Sequence, residues 1–241
     1  LSTSSSSYGS SSIRAAGSGF AASGRFTRPA QLDPALVEHL SGGVDPQQLS
    51  EISHTTAASL LDRVHHTQDP QTVERVLTLV EHEGVDLVAE LWSGGDPDSL
   101  PGVLWRLYML RTWMRRNRES ISRLWRIGEP VAGASSAIAG VDQAPNAEDI
   151  ARTADSILSG AFVGDFAVAM ERASAFCAVI SAGLVAEARR RQERDAELGG
   201  AGSDRIVSSG AAHLLKTARS LHSTSKDFKA GARLWREGRL E

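Results

Sequence analysis

From residue 45 onward the chain is punctuated repeatedly by the start and stop signals of α-helices, and nowhere by those of strands. Asp45-Pro46 places a capping carboxylate before a proline at the first helical position, where a missing N–H costs no hydrogen bond. Asp69-Pro70 repeats that signal, Ser99 precedes Pro101 in a similar way, and Asn146 and Asp165 stand before two further apolar runs. Gly84, Gly128, Gly160 and Gly238 fall where helices are expected to stop. Between these marks, apolar residues recur with a 3.6-residue period. Leu49, Ile52, Ala57, Leu60, Leu61 and Val64 form one such stripe. Val73, Val76, Leu77 and Val80 form a second, and Val103, Leu104, Leu107, Leu110 and Met114 a third. Phe166, Met170, Ala173, Phe176, Ile180 and Leu184 follow the same rule.

Aromatic residues are only 5% of the chain, and no segment alternates cleanly between apolar and polar β-formers. The expectation is therefore an all-α protein, a single-domain bundle of about eight helices over residues 31–241. The helices are expected at about 46–67, 70–84, 86–92, 99–117, 119–127, 146–159, 165–198 and 204–235, with loops at 128–145 and 199–203. Residues 1–30 are Ser, Gly and Ala with three arginines, Arg14, Arg25 and Arg28. Such a segment buries too little apolar area to fold alone, so a disordered Ser-rich tail is expected.

Compartment follows from what is scarce. The N-terminal residues lack the apolar core of a secretory signal, and no apolar stretch approaches the ~20 residues that span a bilayer. The single cysteine, Cys177, lies in the apolar run 176–180 and reads as a small core residue. One thiol makes no intrachain disulfide, which fits a reducing cytosol. A cytoplasmic protein with no membrane partner is expected.

Charge is unevenly spread although the net value is only −3. Residues 31–98 hold 13 acidic side chains against two arginines. Residues 99–127 hold seven arginines (Arg106, Arg111, Arg115, Arg116, Arg118, Arg123 and Arg126) against Glu119. Arg111, Arg115 and Arg118 are expected to share one helical stripe, roughly opposite Val103, Leu107, Leu110 and Met114. Trp105, Tyr108, Trp113 and Trp125 are interleaved with the arginines. Guanidinium groups beside aromatic rings suit single-stranded nucleic acid, where one binds phosphate and the other stacks on bases. The acidic excess just before the arginines offers a different outlet, an internal or inter-subunit electrostatic match. That is the expected use of Arg106, Arg111, Arg115, Arg116, Arg118, Arg123 and Arg126 with Trp105 and Trp113.

Catalytic signatures are wanting. None of the seven histidines has an HExxH or cysteine-paired zinc spacing, and His65-His66 point about 100° apart on a helix. No phosphate-binding loop, dinucleotide fingerprint or nucleophile elbow is present, and Gly133–Gly140 lacks the lysine and strand that a phosphate cradle needs. Glu119-Ser-Ile-Ser-Arg-Leu124 has the polar character of a repressor recognition helix but lacks the preceding helix and tight turn. No metal, cofactor or catalytic residue is expected.

One internal echo stands out. Arg123-Leu-Trp-Arg-Ile-Gly128 and Arg233-Leu-Trp-Arg-Glu-Gly238 differ at one position in six. Both read as helix C-termini, with arginine near the negative end of the dipole and glycine as the stop. The separation of 110 residues is too long for a solenoid repeat.

The stretches Leu100-Pro-Gly-Val-Leu-Trp-Arg-Leu-Tyr-Met-Leu110, Ile157-Leu-Ser-Gly-Ala-Phe-Val-Gly-Asp-Phe166 and Ala232-Arg-Leu-Trp-Arg-Glu-Gly238 carry a resemblance. They are similar to segments of an uncharacterised actinobacterial family of small all-helical proteins, some of which bear the label RNA polymerase β-subunit-like. The resemblance covers residues ~45–241 and implies a helical fold in a bacterial cytoplasm. It implies no activity, because no polymerase catalytic Asp triad or Lys-rich element accompanies it. The functional expectation is a non-enzymatic helical interaction protein that binds a protein partner or itself. The alternative is a nucleic-acid- or transcription-associated protein that uses the Arg/Trp-rich helix 103–126.

Overall fold

The longest uninterrupted apolar period builds the axis of the molecule. A computed structural model describes residues 46–67, 91–141, 144–198 and 204–240. It contains seven helices and no strand among those residues: α1 (Pro46–Thr67), α2 (Leu100–Arg116), α3 (Arg118–Ala132), α4 (Ser135–Ala139), α5 (Ala147–Val163), α6 (Phe166–Leu198) and α7 (Asp204–Arg236). The all-α class is what the punctuation demanded. The tail at 1–30, most of the helices expected at 70–84 and 86–92, and the loop at 199–203 lie outside the described residues.

α6 is the central helix; α3, α4, α5 and α7 pack on it, α2 packs on α5, and α1 leans on α2 and α5. One apolar core runs from Ala57 to Leu240, with Trp125, Phe166, Phe176 and Phe228 as its largest fully buried side chains. The best 18-residue window of α6 reaches a mean hydropathy of 1.5, so by length and composition this helix could cross a membrane. That corrects the expectation that no stretch comes near. Its partners bury 67% of that window, as befits the core helix of a bundle.

Local chemistry sets the ends. Asn146 accepts from the amides of Glu148 and Asp149, and Asp149 reaches back to the Asn146 amide, a complete capping box. Asp165 Oδ1 accepts from Ala167 and Val168 at 2.8 and 3.2 Å. Ser99 Oγ accepts from Gly102 at 3.3 Å. At the far end of α7, Gly238 has φ +64°, and the amides of Gly238 and Arg239 donate back to Trp235 and Leu234 at 3.0 and 2.8 Å. This is a Schellman stop, and Leu240 folds into the core behind it.

Two expected stops are absent. α3 runs through Gly128 to Ala132, and the short α4 lies within the segment expected to be a loop at 128–145. Gly128 is there for close approach. A Cβ on it would lie 2.1 Å from the Val179 carbonyl oxygen, and one on Gly183 of α6 would lie 2.2 Å from that of Leu124. The two helices cross backbone to backbone. Gly160 likewise lies inside α5, which continues because Ala161 and Phe162 are buried one step further on.

α6 and α7 form an antiparallel pair with a fixed register. The Ser174 and Ser225 hydroxyls each donate to the other's carbonyl, at 2.7 and 2.8 Å, and Ser181 donates to Ala218 O at 2.9 Å. Seven residues up one helix answer seven residues down the other. Ala167, Ser174, Ser181 and Ala188 are all buried, as are Ala211, Ala218, Ser225 and Ala232. A strict seven-residue repeat keeps one seam facing its neighbour along the whole pair.

Candidate functional site

The arginine cluster is built on α2 and α3, which break at Asn117. Arg111 does not face away from the apolar stripe. It lies one turn from Leu107 and three residues before Met114, on the flank of α2 that packs against α5, and is only 6% exposed. Its Nε donates to Asp155 Oδ1 at 2.7 Å. Arg115 Nη1 donates to both oxygens of the same carboxylate at 2.9 Å. Asp155 thus clamps two guanidinium groups, one buried and one half-exposed. Arg118 sits 3.7 Å from Glu148, one of the first-turn acids of α5.

The remaining arginines diverge. Arg106 folds back onto the Gly102 carbonyl at 2.9 Å. Arg126 reaches Ser122 Oγ and the Pro145 carbonyl, while Ser122 donates to that carbonyl at 2.6 Å, tying the α3 surface to the start of α5. Arg116 and Arg123 are exposed, with no hydrogen bond or ion pair among the described residues. Trp105 stacks against Tyr108 at 5.9 Å and is half-buried, as is Trp113. The structure therefore divides the seven arginines singled out by sequence. Arg111, Arg115 and Arg118 meet acids, Arg106 and Arg126 meet carbonyls, and Arg116 and Arg123 meet solvent.

Internal pairing was expected, but from the acidic block at 31–98. Among the described residues the acids come instead from α5, as Asp155 and Glu148. Sequence reading passed over Asp155, although a signal was there. Asp155 stands one turn from the buried Ala151 and Leu158, at the half-exposed edge of the face that α5 turns to its neighbours, where a carboxylate is placed to meet a cation from another helix. What the sequence lacks is the address, since Arg111 is 44 residues away.

A second feature had no sequence signature. A cleft of 820 Å³ opens between α1 and the ends of α2 and α7. One wall carries Glu51, His54 and Asp62 of α1, and the other carries Leu100, Trp235 and Leu240. The spacing 51, 55, 58, 62 puts Glu51, Thr55, Ala58 and Asp62 on one stripe of the helix. Trp235 is held edge-on by Phe166, with centroids 4.9 Å apart.

Nothing among the described residues assembles a metal-ligand group of three His, Cys, Asp or Glu side chains. Cys177 is fully buried, and burial pushes its thiol up to about 12, so at neutral pH it is a protonated core residue and no nucleophile. No protein-family model, curated protein or solved structure matches the chain.

Proposed function

We propose that the chain is a non-enzymatic, cytoplasmic helical protein that works by binding a protein partner or a second copy of itself. The observation that carries this reading is the position of Arg111, buried and hydrogen-bonded to Asp155. The helix that most resembles a phosphate-binding surface spends its central charge inside the bundle. A protein that reads nucleic acid through counterion release needs its guanidinium groups at the surface. The apolar wall Leu100–Trp235–Leu240 offers the kind of surface on which protein segments dock. Membership of the actinobacterial helical family resembled by residues 100–110, 157–166 and 232–238 belongs to the same proposal.

A second reading rests on Arg116 and Arg123, which stay exposed on neighbouring helices. Fluorescent single-stranded and duplex oligonucleotides, titrated between 50 and ~200 mM salt, separate the two readings. Expected is weak binding that Arg116→Gln with Arg123→Gln does not change, alongside self-association or a defined protein complex in sedimentation. Micromolar affinity that falls steeply with salt and is lost in that double variant would replace the first reading with nucleic-acid binding.

A further inference from the structure

All three lysines of the chain stand on α7. From Lys216 to Arg236 this helix holds six cations, Lys216, Arg219, Lys226, Lys229, Arg233 and Arg236, against the single acid Asp227. Every one of the six is exposed. Arg236 Nη2 donates to Glu171 Oε2 of α6 at 2.9 Å, and Arg233 lies 3.9 Å from Glu237. Lys216, Arg219, Lys226 and Lys229 make no hydrogen bond or ion pair among the described residues. Asp227 is set on the opposite edge of the helix, where its charged neighbours are Arg106 and Asp98.

The cations fall in rows. Arg219, Lys226 and Arg233 are seven residues apart, and so are His222, Lys229 and Arg236. The seam that joins α7 to α6 has the same period, so both rows keep a constant angle to it and run straight along the hairpin. The second row borders α6 at Glu171. Carrying that contact along the seven-residue step sets Ala178 beside Lys229 and Val185 beside His222, and both are only half-buried. The result is a shallow groove, about 30 Å long, with a small apolar floor and one cationic wall.

We propose that this groove takes a helix from an acidic protein partner. That helix presents carboxylates at seven-residue spacing toward α7 and aliphatic side chains toward Ala178 and Val185. Carboxylates seven residues apart stand about 10.5 Å from one another along a helix, which is the spacing within each cationic row. Charges that flank an apolar seam are how a helix chooses its neighbour. A nucleic-acid duplex is a poorer match, because its groove curves away from a straight row within a few residues. The inference rests on the reading that this chain binds proteins, and it names the partner's chemistry and the face it meets.

Two synthetic three-heptad helical peptides of one composition test it. One keeps its glutamates in a single seven-residue row beside an aliphatic face, and the other spreads them round the helix. Fluorescence anisotropy with the full chain at low salt should show the first peptide binding about tenfold more tightly than the second, a preference that fades in about 0.5 M salt. Lys226→Glu with Lys229→Glu, both at exposed positions, should weaken the first peptide about tenfold. The same variant should bind the version of that peptide with lysine in place of glutamate, and circular dichroism checks that its helices remain. Ala178→Trp, which fills the floor without changing charge, should also weaken the first peptide. Equal affinity for the two peptides would overturn the inference, as would no binding of either. Duplex DNA that binds more tightly than the first peptide and is lost in the double variant would assign the face to nucleic acid instead. A protein complex in sedimentation that the double variant leaves intact would overturn this surface alone and keep the wider reading.

Discussion

Arg123-Leu-Trp-Arg-Ile-Gly128 and Arg233-Leu-Trp-Arg-Glu-Gly238 are nearly the same six residues, and they do opposite things. In the first, Trp125 is fully buried and stacked on Phe176 at 5.4 Å, with its indole N–H unpartnered among the described residues. Gly128 lies in mid-helix against the backbone of α6. In the second, Trp235 is half-exposed at the mouth of a cleft, and Gly238 ends its helix with open space where a Cβ would lie. The arginines divide too. Arg126 caps a loop carbonyl, whereas Arg236 donates to both oxygens of Glu171. A hexapeptide fixes which conformations are cheap, and the surface across from it selects among them. Glycine serves a left-handed stop and a tight crossing equally well.

The sharpest way to break that comparison is to truncate both tryptophans. Trp125→Ala should lower stability by about 4 kcal/mol, the usual cost of emptying a large aromatic site in a core. Trp235→Ala, half in solvent, should cost about half as much in the same denaturant titration. Comparable losses would mean that the cleft mouth is as well packed as the core.

Glycine replacement comes next. Gly128→Ala sets a methyl group 2.1 Å from a carbonyl oxygen, a contact that only a shift of α3 against α6 relieves. The expected loss is about 3 kcal/mol, at the upper end of overpacking effects. Gly183→Ala, on the other side of the crossing, should behave alike. Gly238→Ala meets open space and suffers only from φ +64°, so its loss should be about 1 kcal/mol. A Gly238→Ala loss equal to that of Gly128→Ala would undo the distinction between crossing and stop.

The smallest effect concerns Arg236. Its hydrogen bonds hold the Glu171 carboxyl below the usual glutamate value of about 4.3. A depressed folded-state pKa adds stability that is fully present above the unfolded value and lost as pH falls through the folded one. Melting curves of wild type and Glu171→Gln should therefore differ slightly at pH 7 and converge in acid below pH ~4. Arg126, bonded to a carbonyl and a hydroxyl, should give no such convergence when replaced by Gln.

What was legible follows the same division. Asn146, Asp165, Ser99 and Gly238 act within a few residues of themselves, so their roles as caps are written locally. α7 was expected from Asp204 to Trp235 and is found from Asp204 to Arg236. Gly128, Gly160 and Asp155 act on partners in other helices or lie within buried helical faces, and their roles were misread or missed. The arginine cluster was visible as composition, but its division among acid, carbonyl and solvent was not. That division depends on α5 lying against one flank of α2.

The seven-residue register between α6 and α7 makes the hairpin a length-adjustable part. Ala188 of one helix stands opposite Ala211 of the other in that register, and the same step carries it to 195 and 204. Removing 189–195 together with 204–210 would shorten both arms by two turns and bring the hairpin's end back toward the bundle. Every pair from Ala167–Ala232 to Ala188–Ala211 would stay in place. Removing either seven alone would leave one arm two turns longer than its partner. Lineages that keep this seam would therefore change the reach of the hairpin in paired units of seven, with the core untouched.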